Sequence, residues 1–150
     1  MGQPMGIFSN PPLMAALIAW LIAQLVKPPL EYMRKRKWNW ALLLRAGGMP
    51  SSHSALVAGA AHATGLFEGF ASPYFAIAFV VAVVVIYDAT GIRRQAGKHA
   101  RIINQMVNDL ATGHPLKQEQ LREVLGHTPL EALMGTLLGI ATAQITYWIR

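Results

Sequence analysis

Long apolar blocks alternate with short polar stretches along this chain. Three blocks contain no Lys, Arg, Asp or Glu: residues 13–26, 74–87 and 133–149. Residues 54–71 form a less hydrophobic block that is rich in Ala and Gly. A helix that crosses a bilayer needs about 20 mostly apolar residues, a length that each block reaches when its flanks are counted. The pattern therefore predicts a single domain, residues 1–150, whose transmembrane helices lie at about 11–33, 52–69, 73–92 and 129–149.

Shorter elements lie between these blocks. Residues 38–44 are expected to form a short amphipathic helix at the membrane surface, and residues 117–125 a short polar helix. Beyond residue 91 apolar residues recur at helical spacing, which predicts a further helix with one apolar face; its stripe is Ile102, Ile103, Met106, Val107 and Leu110. Pro28-Pro29 is expected to kink or end the first helix. The predicted fold class is an all-α integral membrane bundle of about four transmembrane helices plus short amphipathic cytoplasmic helices. A soluble bundle of buried helices is the alternative.

The distribution of charge favours the membrane. Of the 13 Lys and Arg residues, all but Arg150 lie in the segments 27–45 and 93–122. Threading four helices places both segments on one side, which the positive-inside rule makes cytoplasmic, with the N-terminus outside. We expect a protein of the bacterial cytoplasmic membrane whose net charge of +6 attracts anionic lipid headgroups. Nucleic acid is not an expected partner, because the cations are interleaved with apolar runs of bilayer length.

One segment combines features that suit an anion. Residues 47–55 read Gly-Gly-Met-Pro-Ser-Ser-His-Ser-Ala, a turn that leads into Ser51, Ser52 and His53 at the start of an apolar helix. Hydroxyls, an imidazole and backbone N–H groups at a helix N-terminus favour phosphate binding. The ordinary alternative is a Ser N-cap after a Gly-Pro turn, with an incidental His.

The last apolar block begins with a helix-start signature. Thr128, Pro129 and Glu131 predict a capping box with Pro at the first helical position. The capping box does not account for His127, which immediately precedes it. Gly135 and Gly139 make a Gly-x-x-x-Gly face that is expected to serve helix packing.

The predicted topology gathers several polar residues at the cytoplasmic ends of the four helices. They are Lys27 on the first, Ser51, Ser52 and His53 on the second, Asp88 with Arg93 and Arg94 on the third, and His127 on the fourth. Helices packed side by side would bring these ends around one cavity at headgroup depth. Ionisable groups near a bilayer are costly enough to be functional candidates by default.

With these residues the chain resembles the divergent branch of the type 2 phosphatidic acid phosphatase (PAP2) superfamily, which is related to acid phosphatases and vanadium-dependent haloperoxidases. The branch is recognisable by residues 47–55, 87–94 and 126–129. The superfamily's signatures are Lys-x6-Arg-Pro, Pro-Ser-Gly-His and Ser-Arg-x5-His-x3-Asp. The first has its counterpart in Lys27-x6-Arg34, with Lys35 in place of Pro. The second corresponds to Pro50-Ser51-Ser52-His53, with Ser52 in place of Gly. The third corresponds to Arg122-x4-His127-x3-Glu131, which is one residue shorter before the His and has Glu in place of Asp. Arg93-x5-His99 is a competing match for the third signature.

The resemblance implies a two-step phosphoryl transfer. His127 would be the nucleophile, Glu131 would orient its imidazole, and His53 would act as general acid and then general base. The phosphate would be held by Lys27, Arg34, Ser51, Ser52, Arg93, Arg94 and Arg122, with Asp88 orienting an arginine and His99 in a supporting position. Neither a metal nor another cofactor is implied.

The resulting hypothesis is a membrane-embedded, metal-independent hydrolase of a lipid phosphate or pyrophosphate, a phosphoric monoester or diphosphate, acting through a phosphohistidine intermediate. The alternative is a non-catalytic membrane protein that binds or translocates anionic lipid headgroups. A third possibility is a scaffold that acts only through helix packing at Gly135 and Gly139. Because a cage of four helices is thin, a homodimer is expected.

Overall fold

The computed structural model describes residues 6–43, 47–111 and 127–150. These residues form five α-helices and no strand: α1 (Pro11–Lys35), α2 (Ser52–Glu68), α3 (Pro73–Thr90), α4 (Ile92–Ala111) and α5 (Pro129–Ile149). Two 3-10 turns, Ile7–Ser9 and Trp40–Leu43, complete the described elements. The all-helical prediction is confirmed, and the starts of α1, α2, α3 and α5 agree with the predicted ones.

Local caps explain why these helices start where they do. The side chains of Asn10, Ser51, Ser72 and Thr128 each accept a hydrogen bond from a backbone N–H of the first turn that follows. A Pro follows three of these caps, at a position where a missing N–H costs nothing. The predicted capping box of Thr128 and Glu131 is present.

The surface of the bundle is that of a membrane protein. Among the described residues, three helical stretches are long and apolar enough to cross a bilayer. They are α1 (Pro11–Lys35), the stretch Pro73–Asn108 that covers α3 and most of α4, and α5 (Pro129–Ile149). On α3 the side chains of Ile77, Val80 and Val84 are each at least 60% exposed. So large an exposed apolar surface is unfavourable in water and favourable against lipid.

The shortest of the five described α-helices, α2, packs in the middle of the bundle. It has 17 residues and contacts α1, α3 and α5. Its neighbours come close because the contacts are made by small residues: a Cβ on Gly135 would overlap the carbonyl oxygen of Ser51, and one on Gly139 would overlap that of Ala55. Close backbone approach at small residues is the usual basis of helix association in membranes. The predicted packing role of Gly135 and Gly139 is confirmed.

Other expectations need correction or lie outside the described residues. The first helix continues through Pro28-Pro29, which do not end it, to Lys35, two residues beyond the predicted boundary at about 33, and Pro28 is buried. Helix is the low-cost backbone state at membrane depth, and packing compensates for the lost hydrogen bonds. The short helix expected at 38–44 is a single 3-10 turn, Trp40–Leu43. The amphipathic helix beyond residue 91 is confirmed as α4, whereas 117–125 lies outside the described residues.

Candidate active site

Lys27 is a buried cation between α1 and α2. Its side chain is only 2% exposed, and Nζ donates to Ser52 Oγ at 3.2 Å and to Gln24 Oε1. Gln24 uses the other end of its amide as well, since Nε2 donates to the carbonyl oxygen of Leu43 at 3.0 Å. Gln24 thus connects the ammonium group to the 3-10 turn. No role for Gln24 was predicted, although it is the one polar residue of the 13–26 block.

The turn before α2 lies against Lys27. Gly47 and Gly48 have φ angles of 106° and 82°, a region that glycine adopts without strain. A Cβ at Gly48 would lie 4.0 Å from Cδ of Lys27, so the Gly-Gly turn passes close to the lysine side chain. The unusual backbone therefore has a specific consequence, which is to enclose the buried cation.

The two serines of the motif are used differently. Ser51 is the N-cap of α2, because its Oγ accepts from the N–H of Ser54 at 3.3 Å and from the Ser54 hydroxyl at 3.0 Å. The N-cap alternative is thus confirmed for Ser51, whose side chain is fully buried. Ser52 is the hydroxyl that contacts Lys27. Of the two hydroxyls, that of Ser52 is the one joined to the cation.

His127 is held by three helix ends. Its backbone N–H donates to the carbonyl oxygen of Ala89 near the end of α3 (3.0 Å), and the N–H of Ser51 donates to the carbonyl oxygen of Glu131 (2.9 Å). The His127 side chain is 3% exposed, with Nδ1 3.4 Å from Glu131 Oε2. The same oxygen accepts from the N–H of Thr128 at 2.9 Å. Glu131 therefore caps α5 and contacts the imidazole at once.

The imidazoles of His53 and His127 meet edge to face at the junction of α2 and α5. Their ring centroids are 5.9 Å apart and the ring planes are inclined by 61°. His53 belongs to the first turn of α2, one residue beyond the Ser52 that binds Lys27. The structure thus brings Lys27, Ser52, His53, His127 and Glu131 into one cluster.

The remaining predicted residues lie elsewhere on the described helices or outside the described residues. Arg34 is exposed, about two turns beyond Lys27 along α1. Asp88 is partly buried beside Ala89, and His99 is exposed on α4. The backbones of Arg93 and Arg94 belong to the first turn of α4, but their side chains, like the whole of Arg122, are not among the described parts.

The chemistry of the cluster suits an oxyanion. It contains a buried ammonium group, a hydroxyl and two imidazoles at the N-terminus of α2, where the helix dipole also attracts negative charge. Glu131 adds one carboxylate, which is already engaged as a hydrogen-bond acceptor. Within the described residues, no group of three or more His, Asp or Glu side chains is placed to hold a metal ion.

Two comparisons with known proteins found matches for this chain. The family described as "Divergent PAP2 family" matches residues 8–142, a stretch that contains every residue of the cluster. A Bacillus subtilis protein named "Uncharacterized membrane protein YuiD" is 40% identical in an alignment of 147 residues that covers 91% of this chain and 93% of the relative. No solved structure matches the chain. This membrane protein therefore belongs to the divergent PAP2 family.

Proposed function

We propose that the protein is a membrane-embedded phosphatase that hydrolyses a lipid phosphate or pyrophosphate through a phosphohistidine on His127. The observation that carries the proposal is the pairing of the His53 and His127 rings, 5.9 Å apart, beside the buried ammonium group of Lys27. Nucleophilic catalysis with a separate proton donor requires two such groups at one phosphoryl group, and two adjacent imidazoles can supply them.

In the first step His127 Nε2 attacks phosphorus. Glu131 accepts the hydrogen of Nδ1, which leaves the lone pair on Nε2 directed away from the carboxylate. An N–P bond forms while the P–O bond to the lipid alcohol or phosphate breaks. The leaving oxygen receives its proton from His53, which must be protonated when the substrate binds. The 3.4 Å separation of Nδ1 and Oε2 is expected to shorten with substrate bound, as catalytic hydrogen bonds often do.

In the second step water replaces the imidazole. His53, now neutral, takes a proton from the attacking water as the new O–P bond forms. The N–P bond breaks, its electron pair returns to His127, and inorganic phosphate leaves. Proton and electron counts then match the starting state, so the cycle needs no redox partner.

The charge that develops on the phosphoryl oxygens needs positive partners. Lys27 supplies a point charge, Ser52 a hydroxyl and the start of α2 its dipole. Arg34, Arg93, Arg94 and Arg122 remain predicted clamps, since bidentate guanidinium groups suit phosphate geometry. The predicted contribution of Ser51 could come only from its hydroxyl, because its backbone N–H donates to the carbonyl oxygen of Glu131.

The proposed sidedness follows from the charges of the sequence. The positive-inside rule places both basic segments, and with them the cluster, at the cytoplasmic face. The substrate would then enter from the cytoplasmic leaflet, where a headgroup lies at the depth of the cluster. We propose the cytoplasmic membrane as its location and a homodimer as its assembly.

The test is phosphate release by the purified chain in detergent, without added metal, from a panel of lipid phosphates and pyrophosphates. We expect release by the wild type and a loss of at least a hundredfold in His53→Ala and in His127→Ala. His114→Ala is the matched control for the loss of an imidazole.

Two outcomes would overturn the proposal. If the wild type bound these lipids without hydrolysing any of them, and His127→Ala still bound them, the protein would be the headgroup-binding or translocating alternative. If hydrolysis persisted in both variants, the two imidazoles would not carry the chemistry.

A further inference from the structure

A groove lies between α3 and α5 with α2 as its floor. Both α3 and α5 pack against α2 but touch each other little. The resulting gap encloses about 190 Å³ and is floored by the small side chains of Ala58 and Ala61. Its α3 wall includes Phe75, Phe79 and Ile86. The lining is almost wholly apolar, so its occupant must be apolar as well.

The groove begins near the histidine cluster. At 1.5 Å per residue, Ala58 is about 8 Å along α2 from His53, and Ile86 is about 5 Å along α3 from Ala89. Ala89 is the residue whose carbonyl oxygen holds the backbone of His127. A molecule with its phosphate beside the two imidazoles would therefore have its next atoms at this end of the groove.

The length of the groove fits one leaflet. From Ile86 to Phe75 along α3 it extends about 16 Å, which is roughly half of the ~30 Å hydrocarbon core of a bilayer. A chain anchored at headgroup depth would thus run along the groove toward the middle of the membrane.

We propose that this groove holds one hydrocarbon chain of the lipid phosphate whose headgroup lies at His53 and His127, and so selects substrates with long chains. This inference rests on the proposed function. It adds a binding element that is separate from the polar cluster and made by α2, α3 and α5. The chain occupies space beside Phe79 and Val83, while its phosphate is held by Lys27 and Ser52.

Two neighbouring valines of α3 provide a matched test. Val83 lines the groove, whereas Val84 does not. They are 51% and 61% exposed, so Phe fits at either position without entering the core. Each variant is assayed on dioleoyl against dibutyryl phosphatidic acid, and on farnesyl against dimethylallyl diphosphate. Val83→Phe is expected to lower kcat/KM for the long-chain substrate of each pair about tenfold, mainly through KM, because the ring displaces a few methylene groups from the groove.

The short-chain substrates give the contrast. Val83→Phe should leave their kcat/KM within about twofold of the wild type, because they do not reach the groove. Val84→Phe should behave like the wild type on all four substrates. Equal effects of the two variants, or an equal loss on long and short chains, would overturn the groove assignment.

A labelling experiment separates failure of this inference from failure of the proposed function. Phosphatidic acid with a diazirine at the end of one acyl chain is irradiated with the protein in phosphatidylcholine nanodiscs, and the labelled peptides are mapped. Labels on the groove side of residues 70–86 that Val83→Phe removes and Val84→Phe retains support the groove, whether or not phosphate is released. Equal labelling by diazirine-bearing phosphatidylcholine, labels spread over the outer face of α3, or capture of a second copy of the chain would overturn it.

Discussion

The imidazole rings of His53 and His127 lie 5.9 Å apart, although one belongs to the first turn of α2 and the other immediately precedes α5. Their approach depends on the fit of the two helices. Gly135 leaves room for the carbonyl oxygen of Ser51, and the N–H of Ser51 donates to the carbonyl oxygen of Glu131. The same contact that joins α2 and α5 therefore sets the distance between the proposed nucleophile and the proposed proton donor.

Glu131 has two roles that one substitution can separate. Gln at the third helical position still completes a capping box, so Glu131→Gln should keep the thermal stability of the wild type. It removes the carboxylate that faces Nδ1 of His127, and kcat should fall at least tenfold. Glu131→Ala should lose both, including about 1 kcal/mol of stability from the cap. Thermal unfolding and phosphate release in the same detergent check this, and a fully active Glu131→Gln would show that the carboxylate only caps the helix.

Lys27 is expected to stabilise bound phosphate, although its burial lowers the free energy of unfolding. Burying a charge is costly, and replacing it with an apolar side chain of similar shape is often neutral or stabilising. Lys27→Met should therefore unfold at the same temperature as the wild type or a higher one, while phosphate release falls by about a hundredfold. A marked drop in the unfolding temperature would instead identify Lys27 as a structural link between α1 and α2.

Gln24 is expected to act through Lys27 as a positioning residue. Gln24→Leu removes both its hydrogen bonds and should lower stability and raise KM about tenfold. Gln24→Glu still accepts from Lys27 but neutralises part of its charge, so KM should rise. Its carboxylate can no longer donate to the carbonyl oxygen of Leu43, so the unfolding temperature should fall as well. Steady-state kinetics on both variants give the comparison; an unchanged KM in Gln24→Glu would rule out the positioning role.

The elements that the sequence could predict are those with local causes. The starts of α1, α3 and α5 follow from a cap and a Pro adjacent in the chain, and apolar blocks of bilayer length mark the helices themselves. The meeting of Lys27, His53 and His127 could be predicted as well, since threading the helices puts all three at one face of the membrane.

Features that depend on distant packing could not be predicted. Nothing near Gln24 in the sequence indicates that its amide joins Lys27 to the carbonyl oxygen of Leu43. By contrast, both roles of Glu131 could be predicted, the cap from the local sequence and the contact with His127 from the family resemblance.

Gly135 should be intolerant of even the smallest side chain. A Cβ there overlaps the Ser51 carbonyl group and lies 3.1 Å from the Cβ of Ser54, so Gly135→Ala must push α5 away from α2. The expected cost is about 1–3 kcal/mol of stability, with a loss of activity as the two imidazoles separate. Gly6→Ala, where a Cβ meets nothing within 4 Å, is the control. Thermal unfolding of both variants decides the matter, and a Gly135→Ala protein as stable as the wild type would contradict the packing described.

The most direct test of the account is to trap the phosphorylated enzyme. The wild type is mixed with lipid phosphate labelled with ³²P at the phosphoryl group, quenched within its first turnovers, and mapped by mass spectrometry. The account predicts an acid-labile, base-stable phosphoryl group on His127, absent from His127→Ala and retained in His99→Ala. Label on His99, or hydrolysis that continues in His127→Ala with no phosphohistidine, would contradict it.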